Sequence, residues 1–321
     1  MRTTTPRGGD GGIGRRRDSD SATSAGATSA ARGPAGPPAG RAATSRTRAD
    51  VPATVRSAPT AALAAISAGL FAAAAVLALT TWASPLAAQE ASAARHVEGL
   101  GTVDFPVSAT GEARRHFTRG VLLLHSFEYG DAAVAFRRAQ EADPDFALAY
   151  WGEAMTYNHP LWRQQDRAAA QEALRGLAPT AEERRAMAPT DREKAYLAAV
   201  EVLYGDGPKA RRDTLYSRAM ERLVARFPED DEARAFYALS LLGLNQGERD
   251  VPTFVRAGAI ALELFEEHPR HPGAVHYAIH SFDDPAHAPL GLEAARAYSE
   301  IAPRAAHAQH MTSHIFVALG K

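Results

Sequence analysis

Eight of the twelve histidines lie between His268 and His314. Within that stretch His276 and His280 are spaced i, i+4, which places both imidazoles on one face of a helix. His310 and His314 repeat the spacing, and each follows its counterpart by 34 residues. Asp283 and Asp284 extend the first face, and His307 precedes the second pair by one turn. Neutral imidazole ligates zinc and related divalent ions, and an i, i+4 pair offers two nitrogens at once. The candidate metal set is therefore His276, His280, Asp283, Asp284, His307, His310 and His314, with either Asp able to ligate or to orient a ligand imidazole. The same histidines can instead bond to Asp283, Asp284, Tyr277 or Ser313 and hold neighbouring helices in register. An H-E-x-x-H centre is absent, because Tyr277-Ala278-Ile279 and Met311-Thr312-Ser313 stand between the paired histidines. No residue is assigned a catalytic role, and no cofactor beyond a divalent metal such as zinc is implied. His268, His271 and His287 fall in expected turns and read as exposed.

Two helices at least must position these side chains, and helical periodicity runs from Ala113 to the end of the chain. Gly120, Ala132, Phe136, Ala139 and Pro144 mark a first helix pair: small residues for close helix approach, an aromatic to fill the gap between pairs, and a proline stop. Ala149, Tyr150 and Ala154 open a second. Thr180-x-x-Glu183 and Thr190-x-x-Glu193 are capping-box signatures. Helices are expected near 166–176, 191–204 and 209–226, then over 231–244 with a partner closing at Pro269. Pro269 and Pro303, Ala261 and Ala295, and Leu264 and Tyr298 are again 34 apart.

These residues and this period resemble the tetratricopeptide repeat. The likeness is partial, since His116 stands where that motif carries tryptophan. The segments His271–His280 and Ala305–Phe316 are similar to a group of bacterial tetratricopeptide-repeat proteins with a signal peptide and a His-rich pair of repeats. The likeness covers about residues 99–321 and implies a fold and a location, not a reaction. The expected fold is all-α: a superhelical array of antiparallel helix pairs over residues 113–321, truncated at its C-terminal end within the last repeat. An open last helix would expose Ile315, Phe316 and Leu319. In such arrays the inner helices line a concave groove, and the positions of Trp151, Met155, His276, His280, His310 and His314 are expected to line it. His159-Pro160-Leu161-Trp162 would form its lip.

The N-terminal part is of another kind. Residues 1–56 hold ten Arg, no Lys and four Asp among Gly, Ala, Ser, Thr and Pro, the composition of a disordered tail. Residues 57–88 carry no charge, with an apolar core over Thr60–Thr80 and small residues at Leu86-Ala87-Ala88 before Gln89. That order reads as a secretory signal, or as an anchor through 60–80 if uncleaved. An extended lead-in, 89–112, precedes the helices. The net charge of −1 divides into +6 before residue 57 and −7 after residue 88. An acidic folded part excludes nucleic acid as the expected partner. Cysteine is absent, so disulfides and thiolate ligands are excluded. The leading expectation is an exported scaffold, periplasmic or held at the inner membrane, that binds a protein or peptide segment in its groove. The alternative is a metal-binding protein, or a metal-dependent hydrolase, built on the histidines.

Overall fold

The computed structural model describes residues 96–245 and 247–321. The Arg-rich tail, the charge-free segment and the lead-in before His96 lie outside the described residues. Among the described residues no helix is long and apolar enough to cross a membrane.

A two-stranded antiparallel hairpin, β1 (His96–Val97) and β2 (Gly101–Thr102), opens the described chain. Helix pairs follow: α1 (Gly111–His125) with α2 (Tyr129–Ala142), and α3 (Ala147–Met155) with α4 (Arg167–Leu177). The second pair is joined by a small hairpin, β3 (Asn158–His159) and β4 (Gln164–Gln165), around a 3-10 turn at Pro160–Trp162. The short α5 (Ala181–Met187) leads to α6 (Asp191–Leu203) and α7 (Lys209–Arg226), then α8 (Asp231–Leu242) and α9 (Val251–Glu267). The array ends with α10 (Pro272–Phe282), α11 (Ala288–Ile301) and α12 (Ala306–Ala318). Every expected helix is present within a few residues. Both capping boxes form, with each threonine hydroxyl taking the backbone N–H three residues on and each glutamate returning to the threonine N–H.

Small residues set the spacing between helices. A Cβ at Gly120 or at Gly152 would collide with the Phe136 ring, so one aromatic is seated against glycines of two successive inner helices. Phe282 fills the same role against Gly258. The buried positions make one continuous apolar core.

Two findings change the expected groove. First, α10 touches α1 as well as α8 and α12, so the inner row turns back on its own beginning. Second, the lead-in does not run outside the array. Leu100, Val103, Phe105 and Ala109 are buried. The Phe105 ring lies 5.2 Å from Phe117, 5.7 Å from Trp151 and 5.0 Å from Tyr196. Ser108 donates through its N–H and its hydroxyl to Glu193, and Thr102 N–H donates to the Arg270 carbonyl. Trp151 and Met155, expected to line an open groove, are accordingly closed into the core at 1 % and 4 % exposure. The lead-in supplies the aromatic ring that covers Trp151. Of the apolar residues expected to be exposed on the last helix, Ile315 is buried against Gly291, and Phe316 and Leu319 are half-buried.

Candidate metal centre

Where α10 and α12 meet the turn between α1 and α2, three imidazoles converge. The ligand nitrogens of His276, His280 and His307 lie within 4.8 Å of one another. The Nε2 atoms of all three are buried and have no hydrogen-bond partner. Buried polar atoms are nearly always satisfied, so three orphans on three converging rings call for an explanation.

Each is held in place by its element. His276 and His280 stand one turn apart on α10, which Pro272 starts and which the His271 ring caps by accepting Ala274 N–H at 3.1 Å. His276 Nδ1 lies 2.6 Å from the His125 carbonyl. A carbonyl only accepts, so Nδ1 carries the proton and the Nε2 lone pair of a neutral ring faces the cluster. His307 sits in the first turn of α12, whose own N-cap, Ala305, offers no side chain. Its backbone N–H is taken by Glu128 Oε1 at 3.0 Å, a cap supplied from the α1–α2 turn. Between Glu128 and His125 comes Phe127, at φ 57°. A bulky residue in the left-handed region costs roughly 1–3 kcal/mol. The ring that this conformation places packs 4.2 Å from His276, 5.4 Å from His307 and 5.8 Å from His280. The first turn of the array thus forms the wall of a pocket made by its last two inner helices.

The electrostatics keep these rings neutral. Burial, then the neighbouring His280 and His307, hold His276 well below the ordinary imidazole range. Burial does the same for His280, helped by His307, His314, Arg249 and His310. His307 is pushed down to about 4, again first by burial. Neutral imidazole is the form that ligates metal. A tetrahedral ion with bonds of about 2.0–2.1 Å sets its ligand nitrogens roughly 3.3 Å apart, so the three rings would draw in by about 1 Å on binding.

The four-histidine square read from sequence, His276 and His280 with His310 and His314, is not what converges. The inner rows are staggered, so the first turn of α12, rather than its i, i+4 pair, stands opposite the pair on α10. His310 and His314 lie further out, with their Nε2 atoms 2.9 Å apart and His314 Nδ1 donating to Asp283 Oδ2 at 2.7 Å. Asp284 turns away from both groups. It accepts from His287 and pairs with Arg249 at 3.2 Å. Burial acts to raise its carboxyl, but the His287 and Ala286 hydrogen bonds and the Arg249 charge together hold it below the usual carboxylate range. The His159–Trp162 turn does form a lip here. Trp162 is half-exposed, 5.9 Å from His307 and 5.6 Å from Phe127.

Sequence reasoning missed a second histidine cluster. His125 Nε2 donates to Glu232 Oε2 at 2.6 Å, and His271 Nε2 approaches Glu232 Oε1 at 3.2 Å. The Tyr277 hydroxyl lies 2.8 Å from His125 Nδ1, and Phe236 stacks on the His125 ring at 4.8 Å. All are fully or almost fully buried, and they tie α1, α8 and α10 together. Burial alone would raise the Glu232 carboxyl, but the His125 and His271 rings facing it hold it far below its ordinary range. Its place in the first turn of α8 adds the favourable end of a helix dipole. His271, expected to be exposed, is 1 % exposed because it serves as both cap and partner. The one available clue was Gly273: a Cβ there would strike the His125 ring. A third group, Asp231, Glu267 and His268, lies nearer the surface and is taken up by pairing with His268 and with Arg234.

No protein-family model matches the chain, and no curated protein matches it significantly. Among solved structures it is similar to one titled "Crystal structure of YrrB: a TPR protein with an unusual peptide-binding site", at 19% identity and a TM-score of 0.32. The alignment covers 63% of this chain and 92% of that one. The fold follows from the chain's own geometry: successive helix pairs, 34-residue offsets in the last of them, and Phe136 and Phe282 seated against glycines of neighbouring helices. It is an all-α array of antiparallel helix pairs. The candidate centre sits on the inner helices of its last repeats, closed from one side by the first.

Proposed function

We propose that the protein is a helical-repeat metalloprotein in which His276, His280 and His307 hold one divalent ion of the zinc class. The observation that carries this reading is the convergence of three imidazoles, one nitrogen of each within 4.8 Å of the others, on rings whose Nε2 atoms are buried and unpartnered. Zinc, with three neutral nitrogen ligands, leaves a coordination position for water or a ligand group, the arrangement of reactive rather than purely structural sites. No side chain is assigned a catalytic role. A protein or peptide partner has its place at the rim, where Trp162 stands exposed beside His307, and not at Trp151, which the lead-in covers. The charge-free segment before Gln89 supports export, with loading in the envelope; N-terminal sequencing of the envelope-fraction protein would find a start near Gln89, and an intact start in the cytoplasm would remove that part.

Thermal unfolding of the full chain with and without zinc tests the centre. A ligand bound only by the native state at a hundred times its Kd stabilises by about 2.7 kcal/mol. The account expects such a rise for the wild type and for His268→Ala, and none for His280→Ala or His307→Ala. An equal rise in all four would place the metal elsewhere.

A further inference from the structure

His310, His314 and Asp283 stand just outside the proposed centre. We infer that they form a second divalent-cation position, so that the loaded protein carries two ions side by side. The inference goes beyond the inner centre and rests on separate atoms.

Tautomer chemistry leads to it. Asp283 accepts the His314 Nδ1 proton at 2.7 Å, which leaves the His314 Nε2 lone pair pointing away from the carboxylate. A carboxylate that orients a histidine in this way is the usual second partner of a metal-ligating imidazole. The atom that this lone pair meets is His310 Nε2, at 2.9 Å. Without an ion, His310 in its Nε2–H tautomer donates to that lone pair. With the His310 proton moved to Nδ1, both Nε2 lone pairs face one point, and a divalent ion can take the place of the bridging proton. With bonds of about 2.0–2.1 Å, nitrogens at this separation subtend roughly 90° at an ion, a normal angle for neighbouring ligands in five- or six-coordinate geometry. The pair reaches this spacing unaided, because both rings stand one turn apart on α12.

The position adjoins the first. The His280 and His314 ring centroids are 6.1 Å apart, and those of His307 and His310 are 6.0 Å apart. His276 is buried, His280 and His307 are half-buried and His310 is exposed, so an outer ion would be the more exchangeable one. Two neighbouring metals are a recurring arrangement in hydrolytic sites.

Counting zinc per chain by native mass spectrometry, after loading and desalting, tests the inference. Two ions are expected in the wild type, and one in the His310→Ala/His314→Ala double variant. Asp283→Asn, which leaves both imidazoles in place, should lower occupancy of the second ion at limiting zinc by at least several-fold. His276→Ala/His280→Ala should keep the outer ion. A wild type with one ion that survives the outer changes overturns the second position and leaves the inner centre standing. One ion lost with the outer histidines and kept without the inner ones upholds the outer position and removes the inner centre. No ion in any variant removes both.

Discussion

Two triads lie within the same few turns of helix, and they are built to opposite ends. In His125, Glu232 and His271 each donor meets an acceptor: His125 bonds Glu232 at one nitrogen and faces Tyr277 at the other, and His271 faces Glu232 while capping α10. In His276, His280 and His307 three imidazoles converge with no carboxylate in the group, and the Nε2 atom of each has no partner. A satisfied buried network ties elements together. An unsatisfied one of the same residue type lowers stability unless something binds to it. The two share a border, since the His125 carbonyl orients His276. The closed triad is thus the footing on which the open one stands.

The comparison breaks most readily at Glu232. Replacing it with Gln removes the charge that both buried imidazoles face, and breaking a buried pair from one side costs about 3–5 kcal/mol. Chemical denaturation of Glu232→Gln should show a loss of that order, equal with and without zinc. A loss confined to the metal-free protein would mean that the two triads had been assigned the wrong way round. Gly273→Ala comes next. Its methyl group would press on the His125 ring, and overpacking costs roughly 1–3 kcal/mol. Stability should fall while the zinc stoichiometry of the folded protein is unchanged.

Acid should separate the triads by pH window. His276, His280 and His307 all titrate lower in the folded chain than the ordinary value of about 6.5. The unfolded chain therefore binds more protons there, and metal-free stability falls as pH drops from about 6.5 toward 4. The groups facing these rings are His310, His314 and Arg249, which resist protonation further. Glu232 has a linkage of the same sign in a lower window, because its carboxyl too is lowered in the folded state. Its contribution is present above about 4.3 and is lost only below that. A metal-free stability curve that is flat between pH 7 and 5 would contradict the buried, neutral state of the open triad. The smallest effect is expected for His307→Ala without metal. Its Nε2 has no hydrogen bond to lose, so the change should stay within about 1 kcal/mol.

The parts of this molecule written in local pattern were legible from sequence. Gly120 and Phe136, the two capping boxes and the 34-residue offsets each express a neighbour relation within one or two helices, and each is found as expected. What could not be read depends on how the array closes. Phe105 lies in a stretch without periodicity, and it is buried because α1, α3 and α6 bring Phe117, Trp151 and Tyr196 around it. His307 was in the candidate set, yet its pairing with His276 rather than with His310 follows from the stagger of α10 and α12. That stagger is set partly by Glu128, 179 residues away along the chain. His125 stood at the end of an apolar helix with no sign of partners 107 and 152 residues on. The equivalence of Gly273 and His307, 34 residues apart, was visible but mute. In α10 that position makes room for a histidine of the first helix, and in α12 it supplies the third imidazole of the open triad.

The central claim is that the open triad is open because it receives an ion, and an anomalous-difference map from crystals of the zinc-loaded full chain tests it most directly. The account predicts an anomalous peak at the zinc edge about 2.0–2.1 Å from the Nε2 atoms of His276, His280 and His307. Well-ordered imidazoles at these three positions with no peak among them, in protein that carries zinc elsewhere, would contradict it.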